Sequence, residues 1–437
     1  MTNTIFRELE SDVRSYCRTF PAVFSKAKGS VLYDATGCEY LDFFAAAGSM
    51  NYGHNDEDMV EAAINYLRSD GIINGLDLNT EVKAKFLETF NELILKPREF
   101  DYKLQFTGPT GANAVEAALK LARKVTNRIN IACFSGAYHG MSLGALAMTA
   151  NAAKRASMIV QLPGVIRLPY DGAVGGGVVS QLQLLEDMFF RPGFGIDPPA
   201  AFLLECVQGE GGVNCASDDW LRGVSSLAKR LGALLIVDEI QTGCGRTGTF
   251  FSFEHAGIEP DVVCLSKSLS GAGLPFSINL IKPEIDIWAP GEHNGTFRGN
   301  NLAMVMATVA LKKFWSTPNF AIEVTDKGHA LANQLRQALA SVADQVDIVG
   351  RGLMLGLRFR QPEHARTIAA KLFRDGLLIE VCGPYSEVLK CMPVLTMEWA
   401  VMLAAGQRIA QMVLNTLLND YSSSSTLLTL DEQYLPV

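Results

Sequence analysis

Short apolar runs alternate with longer amphipathic stretches between residues 105 and 285 of this sequence. Continuous apolar runs are typical of strands buried on both faces, so the alternation predicts an open, largely parallel β-sheet covered by helices. The expected fold class is therefore α/β, with a three-layer α/β/α large domain. The candidate strands are Ile131 to Phe134, Val165 to Leu168, Ala201 to Leu204, Ala233 to Val237, Val262 to Leu265 and Phe276 to Leu280.

The length of 437 residues is sufficient for two domains. Near the N-terminus, Val31 to Asp34 and Glu39 to Asp42 flank a glycine-containing turn and predict two short strands of a peripheral module. After residue 302 the pattern becomes helical, and a strand over Leu353 to Phe359 indicates a smaller α+β unit that packs with this module. We expect an N-terminal segment of the small domain over 1–65, a large domain over 66–305, a C-terminal small domain over 306–420 and a mobile tail over 421–437.

Charge and composition exclude several classes of function. The net charge is −8, and the sequence has no basic stripe that would bind nucleic acid or an anionic membrane. Nine cysteines without a CxxC pair and six histidines without HExxH or finger-like spacing predict no metal site. The N-terminus has no apolar signal core, and no uncharged apolar run reaches membrane-spanning length. These features are typical of a cytoplasmic protein that acts on small molecules.

Ionisable residues follow three of the predicted strands. Glu205 comes after AFLL, Asp238 after ALLIV and Lys267 after VVCLS. In open α/β sheets, ligands bind outside the carboxyl ends of the strands, so these residues should meet in one crevice. The alternative is that each is an ordinary solvated residue at the end of its strand.

Lys267 and Asp238 have complementary chemistry. A lysine that emerges from a buried strand is partly desolvated, which lowers its pKa and lets the amine attack the carbonyl of an aldehyde cofactor. A carboxylate such as Asp238 keeps the ring nitrogen of a pyridine cofactor protonated, so that the ring accepts electrons from the substrate. The pair therefore predicts catalysis with a pyridine aldehyde.

The segment from Thr107 to Ala112 leads directly into the helical stretch NAVEAALKLARKV. Gly111 and Ala112 would lie at the N-terminus of this helix, where free amides and the helix dipole favour a phosphate group. Tyr138, in the loop after the Ile131 to Phe134 strand, is a candidate for stacking on the cofactor ring. The alternatives are a plain glycine turn and a core aromatic side chain.

The segment from Gly243 to Gly248 matches GxGxxG, the fingerprint of dinucleotide-binding proteins. That motif should open a helix directly after a strand, whereas this copy begins five residues past Asp238 and runs into FFSFEHAG. A nicotinamide-dependent oxidoreductase is therefore a poor alternative, and one that would purify without yellow colour.

The segment VDEIQTGCGRTGTFFSFEHAGIEPDVVCLSKSLSGAGLP resembles the signature of class III, or ω-type, aminotransferases, which are fold-type I pyridoxal-phosphate enzymes. The resemblance extends from residue 5 to about residue 415. It implies that pyridoxal 5′-phosphate bonds to Lys267 and that Asp238 pairs with its ring nitrogen. It also implies that Gln241 lies near the ring hydroxyl, Glu205 lies beside the cofactor, Gly111 and Ala112 hold the phosphate and Tyr138 stacks on the ring.

The same resemblance implies that Thr296 reaches the phosphate in a neighbouring subunit, and therefore a homodimer or higher homo-oligomer with shared active sites. Without the resemblance, Thr296 reads as a surface turn and Gln241 as a polar residue of the core.

Within this family, LQFTGPTGANAVEAALKLARKVT, RLPYDG and LIKPEIDIWAPGEHNGTFRGNN resemble the diaminobutyrate branch. This implies reversible amino transfer from L-glutamate to L-aspartate 4-semialdehyde, which gives L-2,4-diaminobutyrate and 2-oxoglutarate. The alternatives within the same fold are an aminotransferase for ornithine, acetylornithine or 4-aminobutyrate, and an aminomutase.

Two positions depart from many ω-aminotransferases. Met141 and Lys390 stand where arginines are common in the family. We expect that Lys390 binds the substrate α-carboxylate and switches to Glu210, although a lysine lacks the bidentate fork of an arginine. The alternative for Lys390 is a solvated surface position.

Overall fold

The computed structural model of the chain describes residues 4–156 and 164–428. The N-terminal part has three short antiparallel strands between helical segments. Its elements are α1 (Thr4–Leu9), α2 (Tyr16–Thr19), β1 (Phe24–Lys28), β2 (Val31–Asp34), β3 (Glu39–Asp42), the four-residue turn α3 (Ala45–Gly48) and α4 (Glu57–Arg68).

The middle of the chain forms the large sheet and its covering helices. In order, these elements are α5 (Glu81–Phe90), β4 (Lys103–Gly108), α6 (Gly111–Thr126), β5 (Ile131–Phe134), α7 (Leu143–Met148), α8 (Ala152–Arg155), β6 (Val165–Leu168), α9 (Gly177–Phe190), β7 (Ala201–Leu204), β8 (Val207–Gln208), β9 (Asn214–Cys215), α10 (Asp218–Arg230), β10 (Leu234–Asp238), β11 (Val262–Leu265), β12 (Ser277–Ile281) and α11 (Asn301–Phe314).

The C-terminal part returns to an antiparallel arrangement. Its elements are α12 (Asn319–Ala338), β13 (Val346–Arg351), β14 (Met354–Phe359), α13 (Pro362–Arg374), β15 (Leu377–Leu378), β16 (Glu380–Cys382), β17 (Val388–Cys391) and α14 (Trp399–Leu428). The mobile tail expected over 421–437 begins inside α14, whose backbone is helical to Leu428, and the rest of that tail lies outside the described residues.

Seven strands form the large sheet in the order β4-β12-β11-β10-β7-β5-β6. The five strands from β11 to β6 are parallel, whereas β12 pairs in antiparallel fashion with both β11 and β4. The predicted α/β class is confirmed, and four of the six predicted strands have the expected bounds. The other two strands, β10 and β12, lie one residue further along the chain. Sequence reasoning missed β4, and it wrongly placed β6 among the strands buried on both faces, since β6 is an edge strand.

Alternate side chains of the sheet enter different hydrophobic clusters, because successive side chains of a strand point to opposite faces. In β10, Leu235 and Val237 belong to one cluster, and Leu234 and Ile236 belong to the other. The second cluster also contains the apolar face of α6, including Val115 and Leu119. The sheet is therefore the middle layer of three.

In the described part of the chain, three smaller sheets accompany the large one, and the smallest pairs only β8 with β9. β15 pairs in parallel with β3, so residues from both ends of the sequence share the four-stranded sheet β1-β2-β3-β15. The second four-stranded sheet has the order β13-β14-β17-β16 and is antiparallel throughout. Among the helices that the structure describes, none is sufficiently long and apolar to cross a membrane.

Candidate active site

The carboxyl ends of β7, β10 and β11 meet at one edge of the large sheet, because these strands are parallel neighbours. Glu205 follows β7, Asp238 ends β10, and Lys267 lies two residues beyond β11. All three side chains line a single cavity of about 260 Å³. The structure thus brings together the three ionisable residues that were expected to meet there.

Lys267 has a left-handed backbone, with φ of 49°. Non-glycine residues rarely adopt this conformation, and its flanking serines hold it in place. Ser266 Oγ donates to the Phe276 carbonyl at 2.8 Å, and Ser268 Oγ donates to the Gly48 carbonyl at 2.8 Å. Burial lowers the pKa of the Lys267 amine, and nearby Glu210 acts in the opposite direction. The lysine is therefore rigidly placed and closer to its neutral, nucleophilic form than an exposed lysine is.

Asp238 receives a hydrogen bond at each carboxylate oxygen. His139 Nδ1 lies 2.8 Å from Oδ2, and the Ile240 amide donates to Oδ1 at 3.0 Å. Both side chains are buried, and His139 Nε2 has no hydrogen-bond partner among the described residues. A carboxylate accepts hydrogen bonds, so His139 carries its proton on Nδ1 and fixes the orientation of Asp238.

Glu205 lines the same cavity. Its Oε1 accepts a hydrogen bond from the Tyr138 amide at 2.9 Å. Burial raises the pKa of Glu205 to about 7, and Asp238 adds to this while His139 opposes it. The side chain of Tyr138 is half-buried and lines the cavity, so it is not a closed-core aromatic.

Gly111 and Ala112 lie in the first turn of α6 and line the cavity. The first amides of a helix have no acceptor within it, so they are available to an anion. Thr110 closes the turn, because its amide and hydroxyl both donate to Asn113 Oδ1, at 3.2 and 2.8 Å. The loop that carries Tyr138 approaches this turn closely at Gly140, where φ is 128° and a Cβ would lie 2.9 Å from the Cβ of Ala112.

Gln241 connects the cavity to the N-terminal part of the chain. Its Nε2 donates to the Ala47 carbonyl at 3.0 Å and to Glu210 Oε1 at 3.4 Å. Ala47 belongs to α3, in which Ala45, Ala46 and Ala47 have φ of 48°, 46° and 58°. Left-handed backbone costs an L-residue roughly 1–2 kcal/mol, so this turn persists because its neighbours hold it.

Lys390 is fully buried, so the surface alternative for this residue is wrong. Its Nζ lies 2.6 Å from Glu210 Oε1, which brings together the two residues expected to interact. Burial favours a higher pKa for Glu210, but Lys390 and then Lys267 outweigh it and lower the pKa to about 2. Glu210 and Met141 line the cavity.

Thr296 does not line this cavity and lies on an exposed loop between β12 and α11. This loop adjoins another exposed segment, since the Gly75 amide donates to the Gly299 carbonyl at 2.8 Å and Arg298 forms an ion pair with Asp77 at 2.5 Å. Large apolar side chains are exposed on both segments: Ile72, Ile73, Leu76, Leu78 and Phe297.

The GxGxxG segment does not open a helix. Its Arg246 is fully buried and donates to Asn51 Oδ1 at 2.7 Å, to the Leu353 carbonyl at 3.0 Å and to the Pro393 carbonyl at 2.7 Å. The glycines there give close packing, and the arginine joins three distant parts of the chain. Within the described residues, no group of three or more His, Cys, Asp or Glu side chains is arranged to hold a metal.

Sequence reasoning missed His139, Ala47 and Glu380 as residues of the site. His139 directly follows Tyr138 in a loop after a buried strand, and this position was a usable signal. Glu380 lies 2.9 Å from Lys390, a contact that depends on the pairing of β16 with β17 and has no signature in the sequence.

Comparison with known proteins gives a consistent result. The family model "Aminotransferase class-III" matches residues 14–413. A diaminobutyrate–2-oxoglutarate transaminase of Halalkalibacterium halodurans is 49% identical over 90% of this chain and 92% of its own length. One of Vibrio cholerae is 51% identical over 94% of this chain and 99% of its own length. An ornithine aminotransferase structure from Toxoplasma gondii, described with partial occupancy of PLP at its active site, is 26% identical with a TM-score of 0.80 and covers 94% of this chain and 93% of that one.

Proposed function

Because this chain belongs to the class III aminotransferases, we propose that it transfers an amino group from L-glutamate to L-aspartate 4-semialdehyde. The products are 2-oxoglutarate and L-2,4-diaminobutyrate, and the reaction is reversible. The relatives described above support this proposal. A further diaminobutyrate–2-oxoglutarate transaminase, from Streptomyces avermitilis, is 52% identical to this chain. The observation that carries the proposal is the convergence of Lys267 and Asp238 on one cavity at the ends of neighbouring parallel strands.

The residues of the cavity fit pyridoxal 5′-phosphate as the cofactor. They include an amine (Lys267), a buried carboxylate (Asp238), a half-buried aromatic ring (Tyr138) and the first turn of a helix (Gly111 and Ala112). These groups match the aldehyde, ring nitrogen, ring face and phosphate of that molecule. When bound, the cofactor supplies an aldehyde that takes up the amino group and a ring that accepts electrons.

Lys267 has two tasks in this scheme. Its Nζ would hold the cofactor by its aldehyde carbon, and in the first half of the reaction it would take the proton from Cα of L-glutamate and pass it to the cofactor. In the second half it would take that proton back and give it to the carbon that becomes C4 of L-2,4-diaminobutyrate. Its lowered pKa suits this exchange, because a general base works best when its pKa is near the working pH.

The remaining cavity residues hold the reacting groups. Asp238 would pair with the ring nitrogen, and His139 fixes the orientation of its carboxylate. Gln241 would lie near the ring hydroxyl, and Glu205 beside the cofactor, since both side chains line the cavity. Lys390 would bind the α-carboxylate of the substrate and pair with Glu210 in its absence. Met141 lines the cavity and contributes an apolar wall where many ω-aminotransferases have an arginine.

We also propose a homodimer in which Thr296 completes the phosphate site of the second subunit. The support is the exposed apolar surface around this residue, including Phe297, which is 68% exposed. Contiguous apolar surface of this kind marks interaction sites on proteins. We propose a cytoplasmic location as well, since all nine cysteines are free thiols, as is usual in reducing compartments.

The test of the activity uses the purified enzyme with its cofactor. L-Glutamate should convert the cofactor spectrum from the aldehyde to the amine form, and L-aspartate 4-semialdehyde should reverse it with formation of L-2,4-diaminobutyrate. Lys267→Ala should bind the cofactor but show no spectral exchange, whereas Lys229→Ala, at an exposed position of α10, should behave as the unsubstituted enzyme. Ornithine, acetylornithine and 4-aminobutyrate are compared with L-2,4-diaminobutyrate in the same spectral assay. A preference of the enzyme for one of these three amines would refute the assigned substrate.

The shared site has its own test. Lys267→Ala and Thr296→Ala subunits, mixed and allowed to exchange, should yield hybrids with one fully substituted site and one intact site. Mixing should therefore restore activity that neither variant has alone. No recovery, with subunit exchange shown by mass, would refute the contribution of Thr296 across the interface.

A further inference from the structure

The turn α3 is left-handed at three successive alanines, Ala45, Ala46 and Ala47, whose φ angles are 48°, 46° and 58°. An L-residue avoids the left-handed region unless its surroundings impose it, because its Cβ approaches the following carbonyl oxygen. The methyl side chains of the turn are too small to impose this conformation by packing. The turn therefore needs a group outside it that holds its backbone.

The carboxylate of Asp42 provides this support, and the residue is only 1% exposed. Its Oδ1 accepts hydrogen bonds from the amides of Phe44 and Ala45, at 2.8 and 2.7 Å, where the chain enters the turn. Its Oδ2 lies 2.7 Å from His54 Nε2, and the backbone of His54 exchanges two hydrogen bonds of 2.8 Å with Gly29. Asp42 is thus anchored through one oxygen and binds the start of α3 with the other.

The far end of the turn contacts the candidate active site. The Gly48 carbonyl accepts a hydrogen bond from Ser268 Oγ at 2.8 Å, and Ser268 Oγ accepts one from the Asn51 amide at 3.0 Å. Ser268 directly follows Lys267, whose backbone is also left-handed. Asp42 does not line the cavity that contains Lys267. Any influence of this carboxylate on the lysine therefore passes through the turn and Ser268.

We propose that Asp42 is a positioning residue for Lys267. Its carboxylate imposes the left-handed form of α3, and that form places the Gly48 carbonyl where Ser268 needs an acceptor. This inference rests on the proposed function, in which the Lys267 amine adds to the aldehyde carbon of pyridoxal 5′-phosphate and the aldehyde oxygen leaves as water. Without Asp42, the turn relaxes, Ser268 loses its acceptor and the amine is displaced from its line of approach to the aldehyde.

The test compares two ligands of the apoenzyme. Pyridoxal 5′-phosphate bonds to Lys267, whereas pyridoxamine 5′-phosphate has the same ring and phosphate but no aldehyde. Asp42→Ala should slow bond formation, measured by stopped-flow absorbance, by about tenfold or more, because a small displacement of a reacting group has a large effect on its rate. The dissociation constant of pyridoxamine 5′-phosphate, measured by tryptophan fluorescence, should change less than about threefold.

Two single variants act as controls. Asp34→Ala removes another carboxylate that accepts two backbone amides, those of Thr36 and Cys38 in the β2–β3 turn, and should form the bond as fast as the unsubstituted protein. Asp42→Asn keeps an oxygen for the two amides of α3, so its rate of bond formation should stay within about threefold of the unsubstituted rate.

A further variant combines Asp42→Ala with Ala45→Gly, Ala46→Gly and Ala47→Gly. Glycine adopts left-handed backbone without strain, so bond formation should be faster than in Asp42→Ala alone by about threefold or more. No recovery would overturn the proposal, because Asp42 would then act other than through the backbone of α3. Equal losses of bond formation and of pyridoxamine 5′-phosphate binding in Asp42→Ala would also overturn it, since a merely structural role affects both ligands.

If Asp42→Ala does not fold, Ser268→Ala provides the same comparison, because it removes the contact with Gly48 and keeps the contacts of Asp42. It should also slow bond formation by about tenfold, and an unchanged rate would overturn the proposal. An unsubstituted apoenzyme that forms no bond with pyridoxal 5′-phosphate would refute both the proposed function and the role of Asp42. Failure with L-aspartate 4-semialdehyde alone would refute the proposed substrates, while the comparison of the two ligands would still decide the role of Asp42.

Discussion

Replacing His139 with leucine should weaken cofactor binding without unfolding the protein. His139 Nδ1 lies 2.8 Å from Asp238 Oδ2, and the two side chains are 0% and 5% exposed. A hydrogen bond to a charged group is worth about 1.5–3 kcal/mol, which corresponds to a factor of about 10–150 in an equilibrium constant. Since Asp238 keeps one other donor, the amide of Ile240, we expect a loss near the lower end of this range.

The assay is a titration of the apoenzyme with pyridoxal 5′-phosphate, in which the quenching of tryptophan fluorescence reports binding. His139→Leu should raise the dissociation constant of the cofactor by about tenfold or more, and thermal unfolding of the apoenzyme should change little. His329→Leu, at an exposed position of α12, controls for the loss of a histidine. Unchanged cofactor affinity in His139→Leu would refute the argument that this histidine orients Asp238.

Three further outcomes concern stability, each measured by denaturant unfolding of the apoenzyme. Arg246→Met should lower the free energy of unfolding by about 2–5 kcal/mol, because three buried acceptors lose a charged donor, whereas exposed Arg360→Met should not. Ala46→Gly should raise the free energy of unfolding by about 1 kcal/mol, because glycine tolerates a φ of 46°; a decrease would contradict the strain assigned to α3. Burial raises the pKa of Glu239 from 4.5 to about 7, so the folded state keeps a proton that the unfolded state has lost, and stability falls as pH rises across this interval. Glu239→Gln should remove up to about 3 kcal/mol of this fall in the free energy of unfolding. If the free energies of the two proteins fall in parallel as pH rises, the pKa of Glu239 is not raised.

The sequence predicted the central part of the fold because the buried parallel strands carry a strong local signal. A short apolar run such as Val262 to Leu265, bounded by Asp261 and Ser266, has the length of a strand and is too short for a typical helix. β4 was missed because Lys103–Gly108 mixes polar and apolar residues, as suits a strand with partly exposed positions at the sheet edge. The antiparallel direction of β12 depends on chain connectivity, which composition does not record.

Some residues of the candidate site could be predicted from the sequence, and others could not. Glu205, Asp238 and Lys267 were identifiable because strand ends converge by a general rule of α/β sheets. The pairing of Lys390 with Glu380 depends on the register of two short strands, and local sequence does not specify it. The left-handed backbone of Ala45 to Gly48 is opposite to the expectation for three alanines, which favour right-handed helix. It arises from distant contacts, such as Ser268 Oγ with the Gly48 carbonyl.

The pairing of Leu41 with Leu377 in the sheet shared by β3 and β15 has a consequence for synthesis on the ribosome. All strands of the large sheet lie between Lys103 and Ile281, so a nascent chain can assemble them while its last third is still being made. β1, β2 and β3 pair with one another, but β3 gains its second neighbour only once β15 is made, and Lys390 emerges later still. The strands that carry Glu205, Asp238 and Lys267 can thus be complete in a growing chain before Lys390 is made.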